Sequence, residues 1–91
     1  MAKLTEKQIG AGLRSLKAWK RAGETLTRTV KKKDFVHAMG FVQEVALLAE
    51  TMNHHPDIDI RWNTVTLVLT THSMGGITAL DLELARKINT L

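Results

Sequence analysis

Residues 35–56 read FVHAMGFVQEVALLAETMNHHP, and residues 63–71 read NTVTLVLTT. In the first stretch Phe35, Met39, Val42, Ala46, Ala49 and Met52 recur at three- and four-residue intervals, a spacing that suits a helix face and no strand. Phe41 and Leu48, seven apart, form a second apolar stripe. Such a helix is expected to lay one stripe on a sheet and offer the other to a second subunit, unless one wide core face takes both. Asp34 suits the positive end of the helix dipole, and Pro56 is expected to stop the helix, because the residue before a proline avoids the α region. The second stretch alternates. Val65, Leu67 and Leu69 point one way and Thr64, Thr66, Val68 and Thr70 the other, as in a half-buried strand with a threonine-rich second face. By the same period His72 falls on the face of Val68 and Thr70.

Working outward, Thr5 and Gln8 have the spacing of a capping box, with Leu4 and Ile9 placed as its hydrophobic staple. Ile9, Leu13 and Leu16 continue a helix over about residues 5–16. Residues 17–31 lose that period. Ala22-Gly23 reads as a turn between Trp19 on one side and Leu26, Thr27, Thr29 and Val30 on the other, which predicts a hairpin. Residues 57–60 are short and extended. Gly75-Gly76 turns the chain, Thr78 and Asp81 form a second capping box, and Leu80, Leu84 and Ile88 carry a last helix. The order α-β-β-α-β-β-α defines an α+β domain over residues 1–91: a four-stranded antiparallel sheet with three helices on one face.

With 91 residues the chain builds one thin core, so association is a reasonable way to bury more surface. Cysteine is absent, which excludes disulfides, thiolate metal sites and cysteine nucleophiles and is consistent with a reducing cytoplasm. Val45–Ala49 is far shorter than a membrane span, so no membrane partner is expected. The net charge of +4 is uneven: residues 1–33 hold ten of the 13 basic side chains and two acids. No aromatic residue is interleaved with Lys31-Lys32-Lys33, which argues against nucleic acid as a partner.

The chemistry-bearing residues are His54 and His55, adjacent and followed by Pro56, and His72. Imidazole alone gives and takes a proton near neutral pH without perturbation. Glu50, at i, i+4 from His54 on the long helix, is either a helix-surface hydrogen-bond partner of that ring or, if catalytic, the group that orients it or raises its pKa. Asp81 is explained by the capping box, and Trp62 is either a sheet residue or a wall for a flat ring. His37 lies apart, on the polar side of the long helix. A zinc site is disfavoured, since adjacent histidines on a helix diverge and no histidine pair has the i, i+4 spacing.

The set Glu50, His54-His55-Pro56, Trp62, Thr71-His72 and Asp81 resembles the pterin-4a-carbinolamine dehydratases, and the resemblance runs from about Phe35 to Ile88. Phe35, Ala38, Phe41, Val45-Ala46 and Ala49-Glu50 are similar to the family's long helix, and Gly75-Gly76-Ile77-Thr78 to the approach to its last one. Three positions depart: Ser73 stands where the family usually has an acid, Trp62 where tyrosine is commoner, and the N-terminal third matches loosely around Trp19. The resemblance implies the fold already derived and a homo-oligomer, dimer or tetramer. It also implies dehydration of a 4a-hydroxytetrahydropterin to the quinonoid dihydropterin with no metal or organic cofactor. His54, His55 and His72 would be catalytic, and Glu50, Pro56, Trp62 and Asp81 would bind or orient. The rival expectation is a dimerisation module that binds a protein partner.

Overall fold

The computed structural model describes all 91 residues. Helix α1 spans Glu6–Arg14, strands β1 and β2 span Lys20–Ala22 and Thr25–Lys31, and helix α2 spans Phe35–Met52. Strands β3 and β4 cover Asp57–Arg61 and Thr64–Leu69, a 3₁₀ turn covers His72–Met74, and helix α3 runs Ala79–Ile88. All neighbouring strands are antiparallel in the order β1-β2-β4-β3. The expected α+β architecture is therefore the observed one, with β2 and β4 central.

Local chemistry accounts for the boundaries. Thr5 and Gln8 close the capping box of α1, and Thr78 and Asp81 close that of α3. Gly23, at φ 60°, makes the β1–β2 turn. Leu26 of β2 and Val65, Leu67 and Leu69 of β4 are fully buried against Ile9, Leu16, Val45, Leu84 and Ile88. Their threonine-rich opposite face carries the cross-strand pair Thr29–Thr66 and no helix. Arg28 shares the core side with Leu26. Its Nη1 donates to Asn89 Oδ1, which also accepts from Trp19 Nε1, while Arg28 Nε is the one buried side-chain polar atom without a partner. Desolvation holds that guanidinium below the usual arginine range.

Two expectations for α2 are corrected. Its core stripe is Ala38, Phe41, Val45 and Ala49, whereas Phe35, Val36, Met39 and Leu47 are exposed. Phe41 of the second stripe lies in the core with Leu48 packed against it, while the first stripe is split: Ala49 is buried, Val42 and Met52 pack against the core, and Phe35 and Met39 are uncovered. The helix also ends before Pro56 can act. Asn53 adopts φ 48°, its N–H donates to Glu50 O, and His54 N–H reaches back to Ala49 O at 3.1 Å. That pair of bonds is a Schellman motif with asparagine in the left-handed position, and Pro56 only follows it. No helix is long and apolar enough to cross a membrane.

Candidate active site

The Schellman turn decides where the imidazoles point. It swings His54 under the end of α2, where the residue is 8% exposed, and leaves His55 outside. His54 Nε2 lies 2.6 Å from Asp81 Oδ1. Asp81 is fully buried, and its other oxygen accepts from the Thr78 backbone N–H and from Thr71 Oγ1, both at 2.8 Å. Thr71 Oγ1 is also 2.8 Å from Thr78 Oγ1. Since Thr71 has one hydroxyl proton and gives it to the carboxylate, the Thr78 hydroxyl donates to Thr71. A carboxylate accepts only, so His54 Nε2 carries a proton in this bond. His54 Nδ1 has no protein partner and is not sealed in the interior. In the neutral ring that atom is a free base directed outward.

The other two histidines are tied to His54 through the backbone, His55 as its neighbour in sequence and His72 as the residue after Thr71. His72 follows Thr71 directly and opens the 3₁₀ turn, exposed and without a side-chain hydrogen bond. Two hydrogen bonds, through Asp81, link His54 to the residue preceding it. His55 is exposed, with Nε2 2.6 Å from Glu50 Oε1. Glu50 therefore orients His55, and the i, i+4 partnership with His54 is absent because the helix has already ended at Met52. Pro56, half-buried, joins His55 to the start of β3.

Trp62 is elsewhere. It occupies the β3–β4 turn at φ 52° and is 68% exposed. The imidazole corner lies at the other end of β4, roughly 17 Å away at 3.3–3.4 Å per residue. Within one chain Trp62 does not meet the imidazoles. No concavity is found at the imidazoles, and the molecule's one groove, open and about 470 Å³, lies at the far end of α2 among Lys31, Lys32, Lys33 and Phe41. The groove's own imidazole–carboxylate pair, His37 with Asp34, is open to solvent, whereas the His54–Asp81 pair is buried and fixed by further donors, so the latter marks the candidate active site. Thr71 stood in the sequence set only as the neighbour of His72, and Thr78 only as a helix cap; neither was given a role toward Asp81 in the site. Their signal was available only once Asp81 was known to face inward.

A helix-end imidazole anchored by an α3 carboxylate, on a sheet with three helices on one face, defines a class of small α+β protein with a histidine-lined corner. The sequence pattern described as "Pterin 4 alpha carbinolamine dehydratase" matches residues 2–91, and the chain belongs to that family. A Nocardia farcinica protein named "Putative pterin-4-alpha-carbinolamine dehydratase" is 49% identical over 88 residues, covering 97% of this chain and 93% of that relative. The crystal structure of a transcriptional coactivator/pterin dehydratase from Brucella melitensis superposes with a TM-score of 0.92 at 42% identity, covering 97% of this chain and 96% of that one. A pterin dehydratase-like protein identified as a RuBisCO assembly factor in the alpha-carboxysome has a TM-score of 0.68 at 18% identity, over 80% of this chain and 87% of that one, and shares the fold alone.

Proposed function

We propose that this chain is a hydro-lyase that removes water from a 4a-hydroxytetrahydropterin and releases the quinonoid dihydropterin. The observation that carries the proposal is the chain Thr78–Thr71–Asp81–His54, which holds one imidazole by Nε2 and ends at Thr71, the residue before the exposed His72. The reaction breaks the C4a–O bond, and the hydroxyl leaves as water with one added proton. The adjacent ring N–H loses a proton as the C=N bond forms. Protons therefore balance, and the net transfer is from a ring nitrogen to the departing oxygen. His54 and His72 are the acid–base pair. His54 Nδ1 is available as a base because Asp81 fixes the tautomer, and the buried carboxylate lies where it balances charge arising on that ring. His55, steadied by Glu50, contacts the substrate. Family membership supports the substrate class.

Homo-oligomerisation through the uncovered stripe of α2, Phe35, Val36, Met39 and Leu47, belongs to the same proposal, as does a cytoplasmic location. That stripe also favours a second reading, a module that binds a protein partner, which the coactivator in the Brucella relative's description suggests. The satisfied imidazole–carboxylate chain favours catalysis, since a scaffold has no use for it. Stopped-flow turnover of freshly generated 4a-hydroxytetrahydropterin tests the two readings. His72→Ala and His54→Ala are each expected to lose about 10²- to 10⁴-fold. Near-normal turnover in both folded variants overturns the assignment.

A further inference from the structure

The lysine run that had no aromatic neighbour in the sequence acquires one in the fold. Lys31 of β2 pairs with Thr64 of β4, so the β3–β4 turn comes to lie beside Lys31-Lys32-Lys33. Lys32 N–H donates to Asn63 O at 2.8 Å, and Asn63 Nδ2 returns a bond to Lys32 O at 2.9 Å. The residue before this clamped asparagine is Trp62. It is exposed and held at a positive φ, which bulky side chains adopt only when the surroundings fix it. None of the three lysines forms an ion pair, in contrast to Lys3, Arg21, Arg61 and Lys87.

These lysines line the groove of about 470 Å³ together with His37, Val36, Gly40 and Phe41. Lys32 Nζ rests 4.9 Å from the centre of the Phe41 ring, which limits its freedom before any ligand arrives. The opposing carboxylates are Glu44, in the groove wall, and Asp34, which is already held by His37. Three ammonium groups without ion-pair partners around one concavity bind phosphate oxygens as point charges, and Trp62, outside the groove lining but one residue from the Asn63 clamped to Lys32, offers an exposed stacking face. The whole length of α2 separates this end from His54, about 26 Å at 1.5 Å per residue.

We propose that Lys31, Lys32, Lys33 and Trp62 form a second binding site for a phosphate-bearing planar heterocycle, the chemistry shared by free nucleotides and single-stranded nucleic acid. Phosphate sits among the lysines, and the ring stacks on Trp62. Because Trp19 is buried, Trp62 emission reports ligand directly. Titrations of the full chain with ATP, with a ten-nucleotide oligothymidylate and with inorganic triphosphate separate the sources. Saturable quenching by ATP alone identifies a nucleotide site. Quenching by the oligonucleotide, weakened about twentyfold between 50 and 200 mM salt if three phosphates are contacted, identifies a single-strand site. Amide NMR shifts at Lys32, Lys33 and Asn63 should accompany either, and triphosphate should move the same amides without quenching. All three responses should vanish in Lys31→Gln/Lys32→Gln/Lys33→Gln, and quenching should vanish in Trp62→Ala, whose exposed position spares the fold. Failure of both ring-bearing ligands to saturate below about 1 mM overturns the proposal. So does binding that survives the triple substitution, or Trp62 emission that follows protein concentration in place of ligand.

Discussion

His54 and His55 are adjacent, and each holds a carboxylate oxygen at 2.6 Å, yet the two pairs are physically unlike. The His54 and Asp81 side chains are 10% and 0% exposed, those of His55 and Glu50 53% and 76%. Distance alone ranks them equal; surroundings do not. Around Asp81 the effective dielectric is low, and every carboxylate bond is made to a fixed donor: one from His54, one from Thr71 and one from the Thr78 backbone. Glu50 accepts a single bond in open solvent, where such pairs contribute about 0–1 kcal/mol. One pair is part of the core and the other decorates its rim. The proposed chemistry needs both kinds, a ring whose tautomer is fixed and a ring free to follow a substrate.

Removing the buried carboxylate should break this contrast most visibly. Asp81→Ala strips the α3 capping box, the partner of His54 and the acceptor of Thr71 together. A loss of about 3–5 kcal/mol in urea unfolding is expected, the range for one partner removed from a buried pair. Asp81→Asn sharpens the point. Its carbonyl oxygen can still serve Thr71 and Thr78, which turns the amide NH₂ toward His54 Nε2 and forces the ring proton to Nδ1. Turnover should then fall about 10²- to 10⁴-fold in a folded protein. Thr71→Val deletes one donor to Asp81 and the acceptor of the Thr78 hydroxyl, and should cost about 1–3 kcal/mol. Glu50→Ala should leave stability within about 0.5 kcal/mol of wild type and lower turnover less than Asp81→Asn does.

Element order was legible because capping boxes, the Gly23 turn and the Val65–Leu69 alternation are local signals, and the structure retains each of them. The phase of α2 was not. Phe35, Val36, Met39, Val42, Leu47 and Leu48 make the helix apolar on most sides, so periodicity could not choose the face that small Ala38 and Ala49 let approach the sheet. The Glu50–His54 pairing failed for a related reason. Spacing of i, i+4 presumes an unbroken helix, and Asn53, a residue type that tolerates the left-handed conformation, ends it between them. The Asp81 capping role was read correctly, but its second oxygen's duty to His54 needs α3 packed beneath the end of α2. The neighbourhood of Asn63 and Lys32, and with it Trp62, depends on β2 pairing with β4 across a separation of 31 residues, and no local pattern encodes that.

A third imidazole–carboxylate pair extends the comparison and carries the smallest expected effect. Asp34, the N-cap of α2, accepts from the His37 backbone N–H at 2.9 Å and lies 2.7 Å from His37 Nδ1. The backbone bond first, and the ring second, hold its carboxyl below the usual carboxylate range. The folded state thus binds this proton more weakly than the unfolded chain does. Its stabilising contribution is complete above the unfolded value, near pH 4, and is lost as pH falls through the lower folded value. Asparagine caps a helix about as well as aspartate but has no charge to lose. Chemical unfolding of wild type and Asp34→Asn should therefore differ at about pH 6 and converge as pH falls through the lowered folded value of Asp34. A difference that persists unchanged into acid would mean that the exposed pair acts through shape alone, and that charge matters only where Asp81 keeps it out of water.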